Sequence, residues 1–137
     1  MDPKVIIIVM IISNFLIISC IGKDDKLGLR INKDFFIKQF AFKKNYNEKL
    51  VYEIWNFLKS HDLTIDEKLS VIVNQGPGSF SAVRISLAVA KGLQISKKVK
   101  LYGYKNTDLK LFNQENVEKL FQEKLIEKNL IKPIYLS

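Results

Sequence analysis

The nearest approach to a chemical motif in this sequence is the stretch Gly-Pro-Gly-Ser-Phe at positions 76–80, which follows an apolar run and precedes a segment with helical spacing. A Walker phosphate loop requires a lysine followed by Ser or Thr after its last glycine, and this stretch has neither in place. A dinucleotide-binding fingerprint requires a third glycine where Ser81 stands. The pattern therefore favours a shaped strand-to-helix turn, with Ser79 as the helix N-cap. Free backbone amides at that helix start could still attract an anion.

Two further residues could carry chemistry, the single cysteine and the single histidine. Cys20 alone excludes an internal disulfide and a zinc site built from cysteines. His61 has no second histidine with which to form a metal site, and its place near the end of a predicted helix suits contact with the last carbonyls. The residues therefore predict no metal site, no cofactor and no histidine-based catalytic triad.

The basic charge comes almost entirely from lysine. The formal net charge is +8, and among the 22 basic residues the only arginines are Arg30 and Arg84. Base and bidentate phosphate recognition favour arginine, so a solvated face is a better interpretation than a nucleic-acid code. Small lysine clusters at positions 43–44 and 97–100 leave room for RNA contact, and we expect any contact with tRNA to be indirect or weak.

The apolar run at positions 5–21 has two interpretations. Lys4 followed by this run and then Leu-Ile-Ile-Ser-Cys resembles a bacterial lipoprotein signal, with Cys20 as the lipidated residue. Alternatively, its many Val and Ile residues and the interruption at Ser13-Asn14 indicate two buried strands joined as a hairpin. The residues alone leave both interpretations open.

Downstream, apolar periodicity and turn residues predict alternating strands and helices. We expect a third strand at 27–31, an irregular or partly extended stretch at 35–42, a helix at 47–60 with Asn47 as N-cap, a strand at 69–75, a helix at 80–95, a strand at 99–104 and a helical segment at 115–129. Three strands in a meander followed by helix-linked strands predict a mixed α/β sheet of about five strands with helices packed on it.

The helix at 80–95 is apolar or small on almost every side, which predicts a helix buried on more than one face or in contact with a partner. Small residues at positions 82, 86 and 90, with Ala88 on a neighbouring stripe, would let another helix approach closely. Arg84 and Lys91 lie one heptad apart on the adjoining strip. We therefore expect the second face of this helix to bind a partner, with the charged residues at the rim.

The long pattern that begins at the glycine loop resembles the signature of the TsaB family, whose members take part in the synthesis of N6-threonylcarbamoyladenosine (t6A) on tRNA. The matching positions are 76–80, 84, 85, 88 and 90–93, and small residues replace small residues at 81, 82 and 86. The resemblance extends to the preceding helix, linker and strand, to the strand at 99–104, and to the closing Pro-x-Tyr-Leu. Of the two interpretations of residues 5–21, the resemblance favours the hairpin over the lipoprotein signal, and it implies a cytoplasmic location.

This resemblance implies a reduced actin-like (ASKHA, ribonuclease H-like) fold. The N-terminal lobe would span residues 1–104, and residues 105–137 would be the remnant of a second lobe with its terminal helix. The family's first strand carries Asp-Thr-Ser near its end, and the stretch expected to correspond, residues 11–14, lacks the aspartate. A non-catalytic role follows as the expectation.

The resemblance further implies a scaffold that binds a TsaD-like catalytic subunit and contacts a TsaE-like ATPase, with a homodimer through the helices at 47–60 and 80–95. The residues expected to bind the partner are Gly76, Pro77, Gly78, Ser79, Phe80, Arg84, Ala88 and Lys91. A membrane-anchored lipoprotein is the alternative function.

Overall fold

The computed structural model describes residues 14–41, 46–128 and 131–135. In this part of the chain there are five strands, three α-helices and one 3-10 turn. They are β1 (Phe15–Ser19), β2 (Lys26–Ile31), β3 (Asp34–Gln39), α1 (Tyr46–Ser60), β4 (Ser70–Asn74), α2 (Phe80–Lys97), β5 (Lys100–Tyr104), a 3-10 turn (Asn106–Asp108) and α3 (Gln114–Gln122).

The strands form one mixed sheet with the order β3-β2-β1-β4-β5. The neighbours β1–β2 and β2–β3 are antiparallel, whereas β1–β4 and β4–β5 are parallel. Hairpin turns join the antiparallel strands, and the helices α1 and α2 supply the crossovers that parallel pairing requires. The predicted mixed sheet of about five strands is confirmed.

Alternating side chains give the sheet two buried faces, each with its own core. On one face, Leu16 and Val71 of the sheet pack with Ile54 of α1 and Val83 of α2. On the other face, Phe15 and the neighbouring strands pack against the apolar side of α3, which contributes Val117, Leu120 and Phe121. The second core explains why α3 is needed although its sequence is mostly polar.

The structure refines one predicted element and corrects the end of one helix and the N-cap of another. The stretch after β2 is a full strand, β3, because a two-residue turn with Asn32 at a φ of 59° returns the chain beside β2. The last predicted helix ends at Gln122 because Lys124 adopts a φ of 58°, which stops helical bonding. Helix α1 begins at Tyr46, so Asn47 lies within it and is not its N-cap.

The N-terminal prediction is only partly testable, because residues 5–13 of the predicted hairpin lie outside the described residues. Asn14 leads directly into β1, the strand at the centre of the sheet. Of residues 11–14, where the sequence lacks the expected aspartate, Asn14 alone is described; it precedes β1, which ends at Ser19.

The lipoprotein interpretation does not fit the position of Cys20. This side chain is fully buried, and β1 immediately before it is hydrogen-bonded to strands on both sides. Cleavage and acylation at Cys20 would remove the central strand of the sheet. Within the described ranges, none of the helices is long and apolar enough to cross a membrane.

Candidate functional site

The glycine loop connects β4 to α2, and Asn74 at the end of β4 fixes its backbone. The Asn74 Oδ1 atom accepts a hydrogen bond from the backbone N–H of Gly76 at 2.9 Å. The Nδ2 atom donates to Ser19 Oγ at 3.2 Å and to Asn106 Oδ1 at 3.0 Å. The backbone N–H of Asn106 in turn donates to the Gly76 carbonyl at 2.7 Å. One amide side chain thus joins the ends of β1 and β4 to the loop.

The two loop glycines are required by close contacts on opposite sides. Gly76 has a φ of +99°, and a Cβ atom there would overlap the carbonyl oxygen of Ile134. A Cβ atom on Gly78 would lie 2.5 Å from the Cβ atom of Ile21 in the connection between β1 and β2. The backbone N–H of Ser79 donates to the Ile21 carbonyl at 2.8 Å. Because both neighbours are backbone or branched side chain, larger residues at 76 and 78 cannot be accommodated without displacing them.

Ser79 is the N-cap residue of α2, as the sequence predicts, but its position does not depend on a side-chain cap. Its hydroxyl makes no capping hydrogen bond, and the first turn is closed by the Val83 N–H, which donates to the Ser79 carbonyl at 2.9 Å. The side chain instead packs beside Gly22, where a Cβ atom would lie 2.6 Å from the Cβ atom of Ser79. Ser79 is therefore held in place by its close contact with the connection between β1 and β2.

The C-terminal segment packs against the other side of the loop, which the sequence did not indicate. The Ile134 N–H donates to the Gln75 carbonyl at 2.7 Å, and the Gln75 side chain donates to the Lys132 carbonyl at 3.0 Å. Gly78 forms an isolated parallel bridge with Tyr135. The Tyr135 ring lies 4.7 Å from that of Phe80, centroid to centroid. The first turn of α2 therefore has an aromatic neighbour from the end of the chain.

The outward side of α2 forms an open, mostly apolar groove of 570 Å³. Phe80 is 56% exposed there, and the Arg84 guanidinium lies 5.1 Å from the centre of its ring, in cation–π range. Ala88 is exposed in the middle of the groove, with Lys91 one turn further along. The groove thus has an aromatic end, a small residue at its centre and two cations at its edge.

The structure separates the eight predicted site residues into two groups. Phe80, Arg84, Ala88 and Lys91 share the exposed groove. The loop residues before them are backbone supports, with Gly76 buried, Pro77 and Gly78 half-buried and Ser79 exposed at the helix start. The loop therefore positions α2 and supplies little of the groove surface itself.

The stripe of small residues on α2 faces inward, which corrects the expectation that it receives another protein's helix. Ala82, Ser86 and Ala90 are all buried. The Ser86 hydroxyl donates to the Cys20 carbonyl at 2.6 Å and also approaches the Ala82 carbonyl at 2.9 Å. The small residues let α2 approach the end of β1, and Ala88 is the small residue left on the outer face.

Neutral polar groups occupy the carboxyl ends of the parallel strands. Ser19, Asn74 and Asn106 are hydrogen-bonded together, and the buried hydroxyl of Tyr104 lies beside them without a hydrogen bond of good geometry. Burial raises the pKa of Tyr104, which keeps the phenol neutral. Within the described ranges, no three His, Cys, Asp or Glu side chains lie close enough together to hold a metal ion.

His61 has a packing role in the structure. Its ring lies 4.2 Å from that of Phe36 and 5.4 Å from that of Phe57, measured between centroids. The residue follows α1 in a turn, where its backbone N–H donates to the Leu58 carbonyl. The only histidine of the chain thus joins α1 to β3, far from the glycine loop in the sheet order.

Comparison with known proteins gives consistent results. A family model described as "TsaD: tRNA N6-adenosine threonylcarbamoyltransferase" matches residues 41–122, more than half of the chain. Two curated relatives are named tRNA threonylcarbamoyladenosine biosynthesis protein TsaB. The one from Buchnera aphidicola subsp. Schizaphis graminum is 31% identical over 61 residues, 44% of this chain and 29% of the relative. The one from Buchnera aphidicola subsp. Baizongia pistaciae is 38% identical over 53 residues, 39% of this chain and 24% of the relative.

Among solved structures, YeaZ from Pseudomonas aeruginosa matches with a TM-score of 0.61 at 16% identity, over 82% of this chain and 50% of that one. A protein described as similar to peptidase YeaZ from Pseudomonas aeruginosa matches with a TM-score of 0.64 at 15% identity, over 70% of this chain and 44% of that one. The chain therefore shares the α/β fold of these structures and spans about half of their length. The chain belongs to the family that the TsaD model describes and is a TsaB-like member of it.

Proposed function

We propose that this protein is a non-catalytic partner subunit in t6A biosynthesis and that the groove on α2 binds a TsaD-like protein. The observation that carries the proposal is the exposed apolar side of α2, held next to a glycine loop with the TsaB pattern. Names of the matched relatives place those proteins in t6A biosynthesis. Exposed apolar surface of this kind is typical of a binding site for another protein.

The groove favours a partner helix with small or apolar residues facing Ala88 and acidic residues at its margin. Ala88 allows a close approach at the centre, whereas Phe80 and Tyr135 offer aromatic surface at one end. Arg84 and Lys91 would meet carboxylates at the edge, where exposed ion pairs contribute mainly to specificity. Gly76, Pro77, Gly78 and Ser79 contribute by fixing the start of α2.

Helix α1 extends the same apolar character. Val51, Tyr52 and Trp55 are each more than half exposed, and α1 packs beside α2. A homodimer through these two helices would use the surface that the TsaD-like partner needs. We therefore propose that the two associations compete, and that any TsaE-like ATPase is recruited to the assembled complex.

We propose that the chain is not catalytic because the side chains at the carboxyl ends of its parallel strands are neutral. Ser19 occupies the end of β1, where actin-like ATPases use an aspartate at the metal–phosphate centre. Asn74 and Asn106 are hydrogen-bonded to each other, burial keeps Tyr104 neutral, and none of the three brings a negative charge for a metal ion. In this proposal the TsaD-like subunit performs the transfer in the cytoplasm, with no cofactor on this chain and tRNA contact made through the complex.

The decisive experiment measures binding between the full chain and a TsaD-like protein from the same organism by calorimetry. Ala88→Trp should weaken binding at least about tenfold, because the indole fills the centre of the groove. Gln122→Trp on α3 is the matched control, since Gln122 is exposed on the opposite face of the sheet. Undiminished binding by a folded Ala88→Trp variant would place the docking surface elsewhere.

A second alternative, which rests on the glycine loop alone, is a nucleotide-using enzyme of the actin-like group, and a separate assay addresses it. The purified chain should show no ATP turnover above that of a heat-inactivated sample, and it should raise t6A formation when added to its TsaD-like partner. Robust hydrolysis by the isolated chain that Gly76→Ala abolishes would contradict the non-catalytic assignment.

A further inference from the structure

Strand β3 is an exposed edge that carries large apolar side chains. In the described part of the chain it pairs with β2 alone. Phe36 is 36% exposed and Ile37 is 48% exposed on this strand. The opposite edge of the sheet differs, because Glu127 bridges to Gly103 of β5. Natural proteins avoid long apolar edges, since their unpaired backbone groups recruit another strand.

The hairpin geometry fixes which backbone groups of β3 point outward. The turn between β2 and β3 has two residues and closes with the pair Ile31–Asp34, and the Phe40 N–H donates to the Asp25 carbonyl at 3.2 Å. In an antiparallel ladder the hydrogen-bonded pairs alternate with the others. Asp34, Phe36 and Lys38 therefore bond towards β2. The N–H and C=O groups of Phe35 and Ile37 point to the open side.

We propose that this edge pairs antiparallel with β3 of a second copy of the chain, in a register centred on Phe36. Phe36 then faces its own counterpart across the two-fold axis, and Phe35 faces Ile37 with the outward backbone groups matched. In the same register Asp34 faces Lys38 of the second copy, once on each side of the axis. Opposite charges in directly facing positions stabilise a strand pair.

The charges select this register over its two neighbours. A pairing centred on Ile37 places Asp34 opposite Phe40, and one centred on Phe35 places Lys38 opposite Asn32. Both satisfy the outward backbone groups but lose both charge pairs. In registers shifted by a single residue, the outward N–H and C=O groups of one strand face residues of the other strand whose backbone groups point away, so the hydrogen bonds between the strands cannot form.

A contact of one short strand is small beside the standard interface of about 800 Å² per partner, so the dimer is reversible and concentration-dependent. It lies at the far edge of the sheet from β5 and leaves the groove on α2 open. Edge pairing is therefore compatible with the proposed binding of a TsaD-like protein and independent of it.

Sedimentation equilibrium of the full chain over a wide concentration range tests the proposal. The Ala88→Trp variant, in which the helix surface proposed for the other homodimer is blocked, should still shift from monomer to dimer as its concentration rises, and the substitutions below are made in this background. Asp34→Lys and Lys38→Asp should each raise the dissociation constant about tenfold or more, because each sets like charges opposite at two places. The double variant Asp34→Lys/Lys38→Asp restores both pairs and should recover dimerisation.

Glu67→Lys is the control, since it makes the same charge change at an exposed residue outside β3. A chain that stays monomeric at all concentrations would overturn the proposal and would indicate that something else covers the edge. Dimerisation that ignores the charge exchange, or that Ala88→Trp abolishes, would assign the contact to the helices instead and equally overturn it.

A cysteine pair tests the register directly. Phe36→Cys should give a disulfide-linked dimer under mild oxidation, because facing residues that are not hydrogen-bonded bring their side chains closest. Ile37→Cys should not cross-link, since residue 37 faces residue 35 in this register. The native thiol does not interfere, because Cys20 is buried. Equal cross-linking of the two variants would rule out the register.

Discussion

At the scale of single residues, Ser86 links α2 to the end of the central strand. Its hydroxyl is fully buried and donates to the Cys20 carbonyl over 2.6 Å. Ser86→Ala removes this donor, so the free energy of unfolding should fall by about 1–2 kcal/mol. Urea denaturation followed by circular dichroism measures the change.

Ser96→Ala is a matched control for that change. Ser96 lies on the same helix and its hydroxyl also bonds to the carbonyl four residues before, that of Gly92, but the residue is exposed. Its replacement should alter stability by less than about 0.5 kcal/mol. Equal effects of the two substitutions would show that the bond from Ser86 to β1 contributes nothing.

Tyr104 makes stability depend on pH at the alkaline end. Burial raises the pKa of its hydroxyl above that of an exposed tyrosine, about 10. Above that pH the unfolded chain loses the proton while the folded chain keeps it, so the unfolded state binds fewer protons and stability falls as the pH rises. Burial also raises the pKa of Tyr102, which adds to the same trend.

Tyr104→Phe should therefore make the loss of stability between pH 10 and pH 12 less steep. At pH 7 the same variant should differ from the wild type by less than about 1 kcal/mol, because the lost hydroxyl lacks a well-formed hydrogen bond. Urea midpoints at each pH give both quantities. Identical alkaline slopes for the two proteins would contradict the role of Tyr104.

At the scale of elements, the turn from β4 to α2 depends on the absence of a side chain at Gly78. A Cβ atom there would lie 2.5 Å from the Cβ atom of Ile21 and 2.8 Å from its carbonyl oxygen. Gly78→Ala must push the two connections apart, and the free energy of unfolding should fall by about 1–3 kcal/mol.

Gly92→Ala should act in the opposite direction. Gly92 lies inside α2 with open space around its Cα atom, so an added methyl group meets no neighbour. Alanine is the better helix former by about 0.5–1 kcal/mol, and the melting temperature should rise. A rise for both glycine variants would show that the contact with Ile21 is not tight.

The elements were predictable where local patterns determine them. Apolar periodicity and turn residues gave α1, β4, α2 and β5 to within a few residues of their observed bounds. Strand β3 was predicted only as an irregular or partly extended stretch, because its side chains are mostly exposed and no apolar alternation identifies a full strand. The helical pattern after residue 114 continues past Gln122, whereas the left-handed backbone at Lys124 ends the helix.

The sequence predicted which exposed residues of α2 lie together, but it did not predict which face of the helix is buried against the sheet. The exposed members Phe80, Arg84, Ala88 and Lys91 lie together as expected. Which stripe of α2 faces inward depends on β1 and could not be read from the helix alone, since small residues occupy several of its sides. Contacts distant in sequence, such as Tyr135 on Phe80 and Asn106 on Asn74, carried no local signal.

At the scale of the whole molecule, the sheet is covered on both sides by segments from different parts of the chain. Helices α1 and α2 cover one face, and α3 covers the other with Val117, Leu120 and Phe121. Arg30 on β2 is buried on this second side, with Nη1 at 3.5 Å from a carboxylate oxygen of Glu118. The segment after β5 thus supplies both apolar contacts and a counter-charge.

This arrangement makes a prediction about the proposed boundary after Tyr104. A chain that ends at residue 104 would expose Phe15, Ile17 and Ile72 and would remove Glu118, the counter-charge of Arg30 on the same face. Replacing one buried Phe by Ala already costs about 3–5 kcal/mol, a large part of the stability of a domain of this size. The truncated chain should therefore lack a cooperative thermal transition and should bind the dye ANS.

Phe121→Ala in the full chain is the graded form of the same test. Phe121 contacts Phe15 at 5.7 Å between ring centroids, so its loss should lower the urea midpoint strongly without abolishing cooperative unfolding. Glu123→Ala is the control, because Glu123 directly follows α3 and is exposed; it should leave the urea midpoint nearly unchanged. If the chain ending at residue 104 unfolds cooperatively, the N-terminal lobe is an independent unit, and α3 only shields a face that the sheet can expose.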